Sequence, residues 1–390
     1  MPKSKRTIMS WNNVPVRGSG AVIAGAAVLA APGTHEAASC WHTVPGPAVP
    51  AGDSGNLVGV SMPGPASGWA VGFTLPGSPR GNFHPLLARW DGRRWQATPP
   101  PAGIGAGRLD GIAALSASNA WAVGAAIDAN NDSAPLIIHW NGHRWARVHA
   151  APVPGYADTE LLGVAAASPS NAWAVGEAEN TAMRLRTVTE HWNGRTWTLV
   201  PSPSAGTQSA LSGVAVSHDQ AWAVGGSFGR TSHPLVLHWT GRAWQRVTTP
   251  RASDVQLDGV AVVFPNQVWA VGAIPRDGLR RPYALRWTGG AWRSVPVPVP
   301  AGPARLGREL VSVTSLGGGG RLAAVGNNLG PTTTSALHAG WNGRRWSVTA
   351  GPLNGTSLAG VTTDGHTLWA VGAKDQSATR FVPLVQTCRQ

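Results

Sequence analysis

The chain is sparing with cysteine, tyrosine and acidic charge, holding 2 Cys, 2 Tyr and 18 Asp+Glu in 390 residues. Two cysteines exclude a disulfide-dense scaffold or a cysteine-based zinc array and leave room for a single bridge. Catalytic signatures are missing too. No H-E-x-x-H, C-x-x-C, G-x-S-x-G or phosphate-binding loop occurs, and those spacings bring together metal ligands, nucleophiles or backbone amides. Gly103–Gly107 is glycine-rich but lacks the dinucleotide spacing and reads as a connector. Long helices are disfavoured by 50 Gly and 32 Pro, which punctuate turns and weaken helix interiors. A hydrophobic fraction of 43% still provides a core and excludes a disordered chain.

Residues 1–39 read as a secretory signal. Lys3, Lys5, Arg6 and Arg17 form a basic leader, and Ala21–Ala31 is apolar but short for a membrane span. Small residues Ala37, Ala38 and Ser39 offer a cleavage site before Cys40. An acylated Cys40 is the lipoprotein alternative, although Ala37 stands where that signal needs a larger apolar residue. No later segment has the ~20 apolar residues of a membrane-spanning helix, so a secreted or extracytoplasmic protein is expected. Losing Lys3, Lys5, Arg6, Arg17 and Glu36 lowers the formal net charge of +13 by three, to +10. Beyond the leader every cation except Lys374 is arginine, whose guanidinium grips carboxylate or phosphate in a bidentate fork. An anionic partner is one expectation; a solvated basic surface is the other.

A repeat organises the remainder. Trp-Ala-Val-Gly begins at Trp69, Trp121, Trp173, Trp222, Trp269 and Trp369, with a degenerate copy at Ala323, at intervals of 52, 52, 49, 47, 54 and 46 residues. That period belongs to blade-forming repeats. Leu211–Pro250 shows the unit: LSGVAV, AWAVGG, PLVLHW and WQRVTTP read as four strands, with a tight Thr-Gly hairpin between the last two. The hairpin recurs as Trp90-Asp-Gly-Arg-Arg-Trp95, Trp140-Asn-Gly-His-Arg-Trp145, Trp192-Asn-Gly-Arg-Thr-Trp197, Trp287-Thr-Gly-Gly-Ala-Trp292 and Trp341-Asn-Gly-Arg-Arg-Trp346. Alternation along Ala-Trp-Ala-Val puts the bulky side chains on one face and alanines on the other, so a bulky face fills the shallow face of the next sheet. The expected fold is all-β: a seven-bladed β-propeller of four-stranded antiparallel blades over residues 40–390. Gly317–Gly320 reads as a turn in blade six.

These units resemble the kelch and galactose-oxidase-like propeller repeat, with an aromatic second strand ending in glycine and an aromatic-turn-Trp hairpin. They depart from kelch in having one glycine where that family has two, except at Gly225-Gly226. Trp192-Asn-Gly-Arg-Thr-Trp197 resembles the Asp-box turn of BNR and sialidase-type repeats, and Trp-Ala-Val-Gly resembles a strand of plastid and cyanobacterial assembly-factor propellers.

The last unit ends at Val382–Cys388 without a fourth strand, while Cys40-Trp41-His-Thr-Val-Pro45 matches the fourth strand Trp197-Thr-Leu-Val-Pro201. The N-terminal strand is therefore expected to complete blade seven and remove two exposed edges. Cys388 then falls at the first hairpin tryptophan and Cys40 just before the second. A three-residue register sets them opposite each other, and a two-residue register sets them on opposite faces. A disulfide is expected, worth about 4–5 kcal/mol in the chain-entropy model; free thiols or acylated Cys40 are the alternatives.

His139, His191 and His238 each precede a hairpin tryptophan but belong to different blades, so no metal site is expected. A copper-radical site of the galactose-oxidase kind lacks its tyrosines. A sialidase-like site has candidates in Tyr283 beside Arg280 and Arg281, or Tyr156 with Asp158 and Glu160. No catalytic residue and no cofactor is assigned. Connections from strand two to three and from blade to blade emerge on one face and vary most, which is where rigid scaffolds place recognition. Arg184, Arg186, Arg230, Arg276, Arg280, Arg281, Tyr283, Arg305 and Arg308 are the candidate ligand residues there. The expected function is a secreted, non-enzymatic, monomeric binding propeller for a protein or an anionic cell-envelope glycan. The alternative is a glycoside hydrolase or lyase acting on an acidic sugar at the same face. Export and the lack of a recognition helix argue against nucleic acid.

Overall fold

The structure is a computed structural model that describes residues 40–77, 82–300 and 306–390; the expected signal at 1–39 and the candidate Arg305 lie outside the described residues. After β1 (His42–Val44), blade one holds β2 (Ser54–Gly64), β3 (Ser67–Leu75), β4 (His84–Trp90) and β5 (Trp95–Thr98). Blade two holds β6 (Gly107–Ser116), β7 (Asn119–Ile127), β8 (Ser133–Trp140) and β9 (Trp145–Val148). Blade three holds β10 (Asp158–Ser168), β11 (Asn171–Glu179), β12 (Leu185–Trp192) and β13 (Trp197–Leu199). Blade four runs through β14 (Ser209–Ser217), β15 (Gln220–Ser227), β16 (His233–Trp239) and β17 (Trp244–Arg246). Blade five runs through β18 (Gln256–Phe264), β19 (Gln267–Arg276), β20 (Leu279–Trp287) and β21 (Trp292–Val295). Blade six has β22 (Gly307–Ser315), β23 (Leu322–Leu329), β24 (Thr334–Trp341) and β25 (Trp346–Ala350). Blade seven joins β26 (Thr356–Thr363), β27 (Thr367–Asp375) and β28 (Phe381–Arg389) to β1, in the order β1-β28-β27-β26.

The seven antiparallel sheets and the closing strand agree with the sequence reading. His42 pairs with Thr387, Thr43 with Gln386 and Val44 with Val385. Continuing that register sets Trp41 level with Cys388, so Cys40 lies one residue farther on, in a bend outside the strand. From there it is disulfide-bonded to Cys388, with Cα atoms 5.0 Å apart. Neither hairpin register considered from sequence describes this bridge.

The hairpins also differ from the two-residue turn expected. Trp140 pairs with Trp145, leaving a four-residue loop. Gly142 has φ +94° and is the residue there that needs positive φ, whereas a type I′ turn needs it at both centres. The Asn141 side chain shapes the loop instead, its Oδ1 accepting from the backbone N–H of His143 (3.1 Å) and Arg144 (3.0 Å). Fourth strands are short, three to five residues, because the chain turns away to the next blade.

The core lies between blades. Each second-strand tryptophan enters the next blade's hairpin pair: Trp121 is 4.8 Å from Trp192 and 5.2 Å from Trp197. The same clasp joins Trp69 to Trp140 and Trp145, Trp173 to Trp239 and Trp244, and Trp222 to Trp287 and Trp292. It recurs for Trp269 with Trp341 and Trp346, and for Trp369 with Trp90 and Trp95. A buried indole removes on the order of 200 Å² from water, so these clasps dominate blade cohesion. The seventh seam differs: Ala323 packs in one cluster with Cys388 and Trp41, and Trp41 stacks on His338 at 4.4 Å.

Glycines set the spacing. In each first strand the residue between Leu and the next paired position is bulged, as between Leu161 and Gly163. A Cβ on Gly163 would sit 3.3 Å from the Gly213 Cα of the next innermost strand. A Cβ on Gly176, which ends the Trp-Ala-Val-Gly phrase, would overlap the Glu160 carbonyl. The antiparallel meander puts the turns from strand one to two and the hairpins from three to four on one side, the hairpin face. The connections from two to three and between blades form the other, the loop face.

Candidate functional site

At the loop face, where first strands begin and second strands end, polar side chains replace the aliphatic core. The bulge of β6 is Asp110, without a partner on β7. Arg108 donates from Nε to both Asp110 carboxylate oxygens, at 3.1 and 3.0 Å, and from Nη2 to Glu160 Oε2 of blade three at 2.6 Å. Burial opposes the Arg108 charge, but Asp110 and Glu160 outweigh it and raise its pKa. Burial likewise pushes Asp110 up to about 6 despite Arg108.

Glu160 lies directly opposite Glu177 in the β10–β11 pair. Glu177 is 5% exposed and its Oε2 has no hydrogen-bond partner. Burial first, and the Glu160 charge second, push its pKa up to about 7. Glu179, at the edge of the same cluster, is raised by burial and by Asp158. The seam between blades two and three therefore holds more carboxylate than its one arginine neutralises.

A second polar seam joins blades five and six. Asp258, the bulge of β18, accepts from Gln256 Nε2 at 3.0 Å. Crowding by burial and by Glu309 drives its pKa to about 8. Arg280 Nε lies 2.9 Å from Glu309 Oε2. Asn327 spans blades six and seven, its Oδ1 accepting from Leu358 N at 2.8 Å while its Nδ2 donates to Leu358 O at 3.2 Å.

The sequence-derived candidates scatter around these seams. Arg280 is held by Glu309, Arg308 donates to Asn328 Oδ1 at 3.0 Å, and Arg281 donates to Leu306 O at 3.0 Å. Arg186 stacks over Tyr156 at 5.3 Å. Tyr283 is buried among Leu257, Val260 and Leu285, and burial raises its pKa. Arg184, Arg230 and Arg276 are exposed. The loop face is consequently a mixed-charge surface. His139, His191 and His238 stack on the tryptophans beside them, at 4.2, 4.5 and 4.2 Å, one per blade.

Beside Arg230 the loop side of blade four opens into a cleft of about 510 Å³, lined by His233, Arg246, Thr249, Arg251 and Ser253. Its size falls within the range of ligand sites. Arg246 and Arg251 are exposed, with no ion-pair partner among the described residues. His233 is fixed by Thr231 Oγ1 at 3.1 Å and the Ala252 carbonyl at 3.3 Å.

Sequence reasoning missed the seam residues and the cleft. A signal existed for the former: Asp110 and Asp258 turn the Leu-x-Gly repeat into Leu-Asp-Gly, and Glu177 follows the glycine where other blades have Phe73, Ala125, Gly226, Ala273, Asn327 and Ala373.

No protein-family model matches the chain, and no curated protein matches it by sequence. Its structure is similar to that of YCF48 bound to D1 peptide, with a TM-score of 0.53 and 12% identity over 90% of this chain and 97% of that one. It is also similar to YCF48 from Cyanidioschyzon merolae, with a TM-score of 0.53 and 14% identity over 90% and 98% of the two chains. A fucose-specific lectin from Aleuria aurantia has a TM-score of 0.45 at 11% identity, over 70% and 89%. At such identities the likeness to YCF48 is one of fold: this chain is an all-β, seven-bladed propeller.

Proposed function

We propose that the protein is an exported, non-enzymatic binding propeller whose loop face holds an acidic segment of a protein or of a cell-envelope glycan. The export half rests on residues 1–39, and the kelch-like or BNR-like repeat type rests on the hairpin spacing. The observation that supports binding is the blade-four cleft, where Arg246 and Arg251 present unpaired guanidinium groups within a rigid frame. A protein segment is the partner we favour, since a propeller of this fold, YCF48, is described as bound to D1 peptide. Hydrolase or lyase chemistry on an acidic sugar is disfavoured by the burial of Glu160 and Glu177, each over nine-tenths covered and out of reach of a glycosidic bond.

The test is capture from the native cell surface, with a glycan array read by mass spectrometry, using the native chain and an R230E/R246E/R251E variant. A ligand retained intact by the native chain and lost at least tenfold by the variant supports the reading. Undiminished capture by the variant overturns the cleft, and a cleaved sugar overturns the non-enzymatic claim.

A further inference from the structure

Charge is divided between the two faces. Among the described residues the carboxylates on the hairpin face are Asp91, Asp219 and Asp364, and two of these are occupied in turns. Asp91 accepts from the N–H groups of Arg93 and Arg94 and from Gln96 Nε2. Asp364 accepts from the N–H groups of His366 and Thr367 and from Trp369 Nε1. The remaining described acids, apart from Glu190 within blade three, begin or flank strands at the loop face, where they offset the arginines there.

The hairpin tips carry the opposite composition. Arg93 and Arg94 of blade one, Arg144 of blade two, Arg195 of blade three, Arg242 of blade four, and Arg344 and Arg345 of blade six are all exposed. Apart from Arg94, which lies 3.9 Å from Asp91 with its side chain 75% exposed, none has an ion-pair partner among the described residues. The excess positive charge of the chain thus resides on the hairpin face.

Geometry selects the partner. The hairpins share one length, four residues between paired tryptophans, in blades one to six. Equal hairpins on sheets packed radially end at a common level, so their arginines can meet a flat surface together, whereas a linear polymer would reach only an arc of them. We propose that the hairpin face docks on an anionic lipid bilayer surface, through arginine contacts with headgroup phosphates, leaving the loop face and its cleft turned outward. Such contacts are long-range, additive and screened by salt within roughly 10 Å at 0.1 M. Seven arginines acting together should give strong salt dependence without insertion, since the tips hold no large apolar side chain.

Full-length chain would be sedimented with vesicles of phosphatidylcholine alone or with about one-third phosphatidylglycerol. Two quadruple charge reversals are compared: R93E/R94E/R344E/R345E on the hairpin face and R184E/R230E/R246E/R251E on the loop face. Both leave the basic leader intact, and both alter exposed side chains. The hairpin N–H groups, not the arginine side chains, bond to Asp91 and Asn342, so circular dichroism and melting should match the native chain. The expected result is binding to anionic vesicles only, lost at least tenfold in the hairpin variant, within twofold of native in the loop variant, and abolished by about 0.5 M NaCl. Equal loss in both variants, no loss in either, or retention by neutral vesicles overturns the proposal. Tighter binding to a soluble acidic glycan than to vesicles, equally lost in the hairpin variant, overturns the lipid assignment. None of these outcomes depends on the blade-four cleft.

Discussion

Glu177 of blade three stands across the β10–β11 pair from Glu160, and only Glu160 has an arginine within reach. Directly opposed like charges destabilise a sheet pair, and burial removes the water that would screen them. Glu177 therefore holds its proton near neutrality, with a pKa of about 7.

A stability profile against pH follows from this pair and from Glu190, whose burial raises it to about 7. Both groups bind a proton more tightly folded than unfolded. Their contribution is complete below about pH 4, the unfolded range, and is lost as pH rises through about 7. Urea unfolding should show Glu177→Gln close to native at pH 4 and more stable than native by about 1–3 kcal/mol at pH 8. A variant less stable than native at pH 8 would mean that ionised Glu177 has a partner in solution.

The tryptophan clasps predict a graded response. Trp222 is 2% exposed between Trp287 and Trp292, so Trp222→Ala should cost about 3–5 kcal/mol. Trp239 is only half-buried, and Trp239→Ala should cost less than half as much. Chemical denaturation of the two variants checks the ratio; equal losses would contradict the clasp.

Cys388→Ser opens the link across 348 residues. The unfolded chain regains the freedom of a loop of almost propeller length, and a loss of about 3–5 kcal/mol is expected. The melting temperature of the native chain should fall with reductant, and that of the variant should not change.

Hairpin chemistry is testable at one residue. Gly343 has φ +96°, so Gly343→Ala should cost about 1–2 kcal/mol through backbone strain. Asn342→Ala removes the acceptor of the Arg344 and Arg345 N–H groups and should cost about 1 kcal/mol. Thermal melts that leave either variant at the native value would refute the four-residue loop.

The fold was legible because its forces repeat: Trp, Val and Gly fall at the same places in each unit, and each place has one packing job. Blade number, strand order and the closing strand could all be read from that rhythm. The polar seams break it. Arg108 and Glu160 are 52 residues apart and meet only once one blade is laid against the next. Arg280 and Arg308 looked free in sequence because Glu309 and Asn328, their partners, come from a different strand or blade. The hairpin depth was misjudged because Asn-Gly signals a turn without saying how many residues flank it; Asn141 uses its side chain where a shorter turn would use its backbone.

Ala323 sets one join apart from the rest. Six tryptophan knobs enter six similar sockets, so taken singly these are interchangeable, and any such blade would seat against any other. At Ala323 the knob is missing, and the socket it would have entered is built from Cys388 and Trp41. Misassembly that skips a blade, or borrows one from a second molecule, would force an indole against that smaller site. A single mismatched join thereby lets a string of near-identical parts keep count.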